Sequence, residues 1–178
     1  RIGTFAVAHA KYWEQFDGLY ENLMGFHKDF CAEVTANDVE LIDFGMIDSS
    51  EKAYTALEKM KEANLDLVFC NMVTYATSSV FAPIMRDIGK PVVLIALQPR
   101  EALDYTQANT FMQLENDSIC SVPEFTGVAV RMGKKVNDVI IGCLYGDDEA
   151  KAQIAKWCDI AKVLHDLRGA RMGLMGHV

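Results

Sequence analysis

The sequence predicts an α/β protein in which a parallel sheet of five to six strands lies between two layers of helices. The strongest evidence is one strand–helix–strand unit, with an almost uninterrupted apolar run at 67–71, a helical pattern over 80–88 and a second apolar run at 92–97. Uninterrupted apolar runs are typical of strands that are buried on both faces. Gly89 and Pro91 separate the helix from the second strand, because glycine suits a helix end and proline cannot continue a helix.

The rest of the chain repeats this alternation, which implies parallel strands joined by right-handed crossovers. Further strands are predicted at residues 2–8, 39–44, 139–144 and 171–175. Further helices are predicted at residues 14–34, 48–61, 122–133 and 146–169, with short helical turns between 102 and 114. Asp48 and Glu51 have the spacing of a capping box, with Asp48 as the cap. By analogy with flavodoxin-like (Rossmann-like) folds, we expect the strand order 2-1-3-4-5 in a three-layer α/β/α sandwich.

Composition limits the classes of protein to consider. A chain of 178 residues suffices for one domain, and both ends stop abruptly, so we expect residues 1–178 to be the N-terminal fragment of a longer multi-domain protein. The net charge of −8 argues against nucleic-acid binding, and no apolar run approaches the roughly 18 residues of a membrane span. The five cysteines form no C-x-x-C pair, and no signal-peptide pattern begins the chain. These two observations predict reduced thiols in a cytoplasmic protein. The alternative is that Cys120 is a reactive thiol.

Polar loops follow the first, third and fourth predicted strands. In open parallel sheets, ligands bind beyond the carboxyl ends of the strands, where the strand order reverses. The loops expected to meet there contribute an imidazole, two cations and several aromatic rings, from His9, Lys11, Tyr12, Trp13, Tyr75 and Arg100. Such groups suit a polyhydroxylated ligand such as a sugar, although ordinary solvated loops can have the same composition.

Several motifs that would indicate other activities are missing from the sequence. It has no G-x-G-x-x-G loop, no P-loop and no G-x-S-x-G elbow. The hydroxyl-rich residues 74–79 could hold a flavin phosphate, but helix capping explains them equally well. His27 and His165 fall within predicted helices and are expected at surface or partly buried positions, whereas His9 and His177 follow strands that are far apart. We therefore predict no catalytic residue, no metal ligand and no bound cofactor in this chain.

The order of several segments resembles that of a known enzyme family. Residues 67–81 resemble its strand, aromatic-containing loop and helix, and Gly89-Lys90-Pro91 resembles its NKP turn. The segments FMQLEN (111–116), EFTG (124–127) with Arg131 and Met132, and ARMG (170–173) follow in the family's order. On the order of these motifs, the sequence resembles the N-terminal domain of the L-arabinose isomerase and L-fucose isomerase superfamily, closest to the arabinose type, and the resemblance covers nearly the whole chain.

The resemblance implies a cytoplasmic, metal-dependent aldose–ketose isomerase that uses Mn²⁺ and acts on a pentose or 6-deoxyhexose. In the family, the catalytic and metal-binding residues lie in later domains, so none of them maps onto this chain. The N-terminal domain instead borders the active site of a neighbouring subunit, which implies a homo-oligomer (a trimer or hexamer) without nucleic-acid or membrane partners. The positions implied to contact the sugar are His9, Lys11, Tyr12, Tyr75 and Asn116.

Some residues depart from the family's pattern. His9 and Lys11 stand where arabinose-type members have Gln and Leu. Residues 116–120 differ from the family's NLNQTAH segment by one extra residue and by the loss of its Gln and His. We therefore expect a protein that acts on a sugar other than L-arabinose. The alternative is a non-catalytic sugar-binding or regulatory module of the same fold.

Overall fold

The computed structural model, which describes residues 1–176, contains a five-stranded sheet in which every strand is parallel to its neighbours. Its strands are β1 (Ile2–Val7), β2 (Leu41–Ile47), β3 (Leu67–Met72), β4 (Val92–Gln98) and β5 (Asp138–Cys143). The strand order in space is β2-β1-β3-β4-β5, which confirms the predicted order. The chain adds β2 on one side of β1 and β3 on the other, so the strand order reverses between β1 and β3.

Helices cover both faces of the sheet. They are α1 (Leu19–Thr35), α2 (Ser50–Glu62), α3 (Ala82–Asp87), α4 (Thr110–Glu115), α5 (Val122–Arg131) and α6 (Asp148–Gly169). Buried side chains of α1 and α6 pack on one face, and those of α2, α3 and α5 pack on the other. This arrangement confirms the three-layer, flavodoxin-like α/β/α fold. None of the helices within residues 1–176 combines the length and the apolar character needed to cross a bilayer.

The central strands explain why the sequence shows uninterrupted apolar runs. Every residue of β1 and of β3 is buried, and all of β4 is buried except its last residue. Side chains alternate between the two faces of a strand. Phe69 and Ile95 accordingly lie in the core beneath α1 and α6, while Cys70 and Leu94 lie in the core beneath α2, α3 and α5.

The first helix and the cap of the second differ from the sequence-based prediction. Residues Ala10–Tyr12 form a 3₁₀ turn, and α1 begins only after Gly18, whose φ of 82° lies in the left-handed region and interrupts the predicted helix. The cap of α2 is Ser49 rather than Asp48, since Ser49 Oγ accepts the hydrogen bond from the amide of Lys52. The carboxylate of Asp48 instead accepts hydrogen bonds from the side chains of Trp13 (2.9 Å) and Lys52 (2.8 Å).

The predicted sixth strand is wrong. Residues 170–176 follow α6 directly and form no strand in the part of the chain that the structure describes. The side chains of Met172, Leu174 and Met175 are almost fully exposed. A short alternation of apolar residues forms a strand only where a sheet edge offers it hydrogen-bonding partners. Within residues 1–176 this segment pairs with neither edge of the sheet.

Strand β2 contains a bulge directly after Asp43, a polar residue that shares the α1 face of the strand with Leu41. Thr4 pairs with Asp43 and Ala6 pairs with Met46, so β2 carries one residue more than β1 over this stretch. Gly45 occupies the bulge with a φ of 74°, a conformation that glycine adopts without a steric penalty. The amide of Gly45 donates a hydrogen bond of 2.8 Å to Asp43 Oδ1 and fixes that carboxylate.

Two glycine-to-alanine substitutions test the packing of the sheet. A Cβ at Gly3 would lie 2.6 Å from Cδ1 of the buried Leu65, so Gly3→Ala overpacks the core. We expect Gly3→Ala to lower the free energy of unfolding by about 1–3 kcal/mol. A Cβ at the exposed, helical Gly127 meets no atom within 4 Å. Gly127→Ala should therefore raise the free energy of unfolding by about 0.5–1 kcal/mol.

Urea denaturation of both variants measures these changes, provided that the slope of the transition is the same as in the wild type. Equal stability of Gly3→Ala and the wild type would show that Leu65 moves aside without cost.

Candidate functional site

The loop after β1 holds Tyr12 in a fixed position at the carboxyl edge of the sheet. The Tyr12 ring makes edge-to-face contacts with His9, at a centroid distance of 5.5 Å, and with Phe16, at 6.3 Å. Such contacts are preferred arrangements of aromatic pairs. His9 and Tyr12 are half-buried, whereas Lys11 is exposed. The loop thus presents an imidazole, a phenol and an ammonium group within four residues.

Groups from two other loops lie near the Tyr12 hydroxyl. The pKa of Tyr12 is raised above its ordinary value first by burial, then by the negative charge of Asp117, with further contributions from Tyr75 and Cys120. Tyr75 follows β3, and Asp117 and Cys120 follow α4. Tyr12 is therefore a neutral phenol at physiological pH, able both to donate and to accept a hydrogen bond. Among the sequence-predicted residues, the structure brings His9, Tyr12 and Tyr75 together.

The side-chain amide of Asn116 is hydrogen-bonded to the loop that follows β4. Its Oδ1 accepts a hydrogen bond of 3.0 Å from the backbone amide of Arg100, and its Nδ2 donates one of 3.1 Å to the carbonyl of Arg100. Both ends of the Asn116 amide are thus engaged with the loop that follows β4. In this structure Asn116 positions the Arg100 loop.

A buried carboxylate holds the Arg100 side chain. Arg100 Nη1 lies 2.8 Å from Glu115 Oε2, and Glu115 Oε1 accepts a hydrogen bond of 2.8 Å from Asn22 of α1. Glu115 is only 3% exposed, so these two partners replace the hydrogen bonds that water would otherwise make to its carboxylate. The pair ties the β4 loop to α1 and α4, and sequence spacing gives no signal for it.

The loop that carries Tyr75 is also tied down from a distant segment. Ser121 Oγ accepts a hydrogen bond from the amide of Ala76 and donates one to its carbonyl, both at 2.8 Å. Glu124 Oε1 accepts a hydrogen bond of 2.6 Å from the amide of Ser78. The start of α5 therefore fixes the backbone on both sides of Thr77. The sequence analysis did not identify Ser121, whose partner lies 45 residues away.

The hydroxyl-rich stretch of this loop does not act as a helix cap. Thr77 precedes a 3₁₀ turn at Ser78–Val80, but its side chain makes no capping hydrogen bond. Thr77 Oγ1 and Ser79 Oγ are instead hydrogen-bonded to each other at 2.7 Å, and Thr74 is fully buried. The explanation by capping is therefore wrong for Thr77.

An apolar layer lies beneath these loops. Leu19 and Leu23 of α1 pack with Val73 and Leu114 in a small core at the carboxyl end of the sheet. Aromatic residues at its margin include Phe16 and Phe111, whose ring centroids are 6.5 Å apart. This core docks the short helix α4 against α1, which places the residues that follow α4 beside Tyr12.

The other histidines lie away from this site. His165 is near Asp66, which lies at the amino ends of the strands, with Nδ1 3.2 Å from Asp66 Oδ2. His177 lies outside the described residues.

His27 is fully buried, which corrects the expectation of a surface or partly buried position. It stands four residues after Leu23 and three before Phe30, so it belongs to the buried stripe of α1, a signal that the sequence analysis overlooked.

The cysteines are all free thiols. Cys70 and Cys158 are buried, and Cys120 is the exposed one. The Cys120 thiol donates a hydrogen bond to Asp117 Oδ1. This hydrogen bond, together with partial burial and the negative charge of Asp117, raises the pKa of Cys120 to about 11. The thiolate is the nucleophilic form, so this environment makes Cys120 a poor nucleophile at neutral pH.

Removing the Asp117 charge should activate Cys120. Without that charge the thiolate is less destabilised, so the pKa of Cys120 falls toward its ordinary value in Asp117→Asn. At pH 8 we expect Cys120 in this variant to react with iodoacetamide about tenfold faster or more. Mass spectrometry of the peptide that contains Cys120 measures the rate. Asp17→Asn, at an exposed position, is the control, and an unchanged rate in Asp117→Asn would contradict the assigned contact.

Truncation of Asn116 tests its role in positioning the Arg100 loop. Asn116→Ala removes both hydrogen bonds to the Arg100 backbone, and we expect the free energy of unfolding to fall by about 1–3 kcal/mol. Gln113→Ala, at an exposed position on α4, should change it by less than about 0.5 kcal/mol. Urea denaturation measures both values. If the two variants are equally stable, Asn116 does not hold the loop.

The chain matches no protein-family model and no curated protein. The resemblance to sugar isomerases therefore rests on the sequence motifs alone. The residues at the carboxyl ends of the strands are the structural basis for a proposed function.

Proposed function

We propose that this chain is the N-terminal, substrate-contacting domain of a cytoplasmic aldose–ketose isomerase of the L-arabinose and L-fucose type. The observation that supports the proposal is the grouping of Tyr12, Tyr75 and Asp117 at the point where the strand order reverses. Open parallel sheets bind ligands at this point. Aromatic faces that lie beside hydrogen-bonding groups suit a ligand with several hydroxyl groups.

We propose direct sugar contacts for four residues and an indirect role for a fifth. His9, Lys11, Tyr12 and Tyr75 contact the sugar, a pentose or 6-deoxyhexose, in the active site of a neighbouring subunit. Asn116 acts indirectly, because both ends of its amide hold the Arg100 backbone. The Mn²⁺ ligands and the acid–base residues belong to domains beyond residue 178. The working enzyme is a homo-oligomer, a trimer or hexamer, because the site needs residues from two subunits.

Kinetic measurements on the full-length protein test these roles. With L-arabinose, L-fucose and their epimers as substrates, we expect ketose formation that requires Mn²⁺. Tyr12→Phe and Tyr75→Phe each remove one hydroxyl and should raise KM about 2- to 10-fold, since a neutral hydrogen bond contributes about 0.5–1.5 kcal/mol. Tyr54→Phe, on the exposed side of α2, is the matched control and should leave KM unchanged.

The outcome decides between the isomerase and the sugar-binding module. If the folded, Mn²⁺-loaded protein converts no sugar, the isomerase proposal fails. Amide shift changes in residues 9–12 and 74–78 of the 178-residue chain on titration with aldoses would then favour a non-catalytic sugar-binding module. That alternative has support from one observation, which is that the groups influencing the pKa of Tyr12 all belong to loops of this chain.

A further inference from the structure

The buried face of α1 carries a group of polar side chains that the candidate sugar site does not use. His27 is fully buried, and its Nε2 lies 2.9 Å from Asp43 Oδ1 and 3.7 Å from Cys31 Sγ. One potential ligand atom from each of these residues lies within 4.8 Å of the other two. We propose that His27, Cys31 and Asp43 form a binding site for a thiophilic divalent cation, Zn²⁺, with a solvent molecule as the fourth ligand.

Two structural elements bring the three side chains together. His27 and Cys31 are four residues apart on α1, a spacing that places side chains on the same face of a helix. Asp43 comes from β2, where the alternation of side chains places it on the same face as Leu41, toward α1, and the hydrogen bond from the Gly45 amide fixes its carboxylate. The site therefore combines a regular helix spacing with the regular alternation of an edge strand.

The separation of the nitrogen and sulfur atoms matches that of a tetrahedral zinc site. Bonds of about 2.1 Å to nitrogen and 2.3 Å to sulfur place these two ligands about 3.6 Å apart. The observed separation of His27 Nε2 and Cys31 Sγ is 3.7 Å. The nitrogen–oxygen separation in such a site is about 3.3 Å, so Asp43 must move outward by about 0.4 Å from its hydrogen-bonded position. The Asp43 side chain is 43% exposed, which allows this movement and gives the ion a path from solvent.

Asn71 provides the outer partner that a metal-binding histidine requires. Its side-chain amide lies 2.9 Å from His27 Nδ1, on the opposite side of the ring from Asp43. When Nε2 binds the ion, Nδ1 carries the ring proton and donates it to an acceptor. The oxygen of the Asn71 amide is that acceptor once the amide turns by 180°, a rotation that exchanges its oxygen and nitrogen. Asn71 is buried on β3 and holds the imidazole plane in place.

The ligand types select the class of ion. Imidazole and thiolate suit Zn²⁺, whereas Mg²⁺ and Mn²⁺ prefer sites built from oxygen atoms. The site is therefore distinct from the Mn²⁺ centre proposed for the later domains. Burial raises the pKa of Cys31 to about 12, with a further contribution from Asp43, so the free protein carries a thiol. As the Zn–S bond forms, this thiol gives one proton to solvent, while the His27 proton moves from Nε2 to Nδ1.

Metal binding by the 178-residue chain tests the proposal directly. After treatment with a chelator, the chain is titrated with Zn²⁺ by calorimetry and with Co²⁺ as a spectroscopic probe. We expect one Zn²⁺ per chain and a sulfur-to-cobalt charge-transfer band in the near ultraviolet. Cys31→Ser should remove that band and weaken Zn²⁺ binding by at least about tenfold. Cys143→Ser, another half-buried thiol outside the cluster, is the matched control and should retain both signals.

Asp43→Asn tests the site without altering a buried side chain. It keeps the thiol, so we expect the charge-transfer band to persist while Zn²⁺ binding weakens. Circular dichroism establishes that each variant is folded. The proposal is overturned if the folded wild-type chain binds no Zn²⁺, or if the cobalt band is the same in Cys31→Ser. In either case the cluster serves only to satisfy the buried imidazole.

Discussion

The structure depends on the burial of β1, β3 and β4 on both faces. Once helices cover both sides of a strand, its backbone polar groups can be satisfied only by neighbouring strands. The three strands therefore lie side by side in the order β1-β3-β4, and their ends are the places where polar side chains can gather. The site follows from this constraint, because the loops after β1 and β3 emerge next to each other where the strand order reverses.

The elements that the sequence predicts well are those whose signal is local. The apolar runs of β3 and β4 locate both strands, since a strand buried on two faces has almost no polar residues. The predictions of the start of α1 and of a sixth strand are wrong for opposite reasons. Gly18 interrupts a regular apolar stripe through its backbone conformation. Residues 171–175 have the local pattern of a strand, but a strand exists only where a sheet edge accepts it.

The composition of the candidate site is predictable, whereas the positions of its side chains are not. The loops with His9, Tyr12 and Tyr75 can be named because they follow predicted strands. The hydrogen bonds of Asn116 and Ser121 reach backbone groups 16 and 45 residues away, and no spacing rule connects such pairs. A residue that the sequence suggests as a ligand contact can thus also hold a neighbouring loop in place.

The polar residue on the buried face of α1 shows that an apolar pattern alone can assign a helix residue to the wrong side of the helix. A histidine within a helix is usually assigned to the surface, yet His27 continues the stripe of Leu23 and Phe30. Its burial is possible because Asn71 lies on the face of β3 that α1 covers, as Phe69 does, and offers a hydrogen bond there. Asp43 satisfies the other ring nitrogen from β2.

The buried imidazole therefore constrains three elements at once. An unpaired polar group in the core costs about 1–3 kcal/mol, so His27 is compatible with the fold only while α1, β2 and β3 keep their present register. A shift of β2 by one residue would turn the Asp43 side chain to the other face of the sheet and leave His27 Nε2 unpaired. The bulge at Gly45 follows Asp43, so β2 accommodates its extra residue without losing this contact. This one polar contact thus selects the register of an edge strand that apolar packing alone leaves less strictly defined.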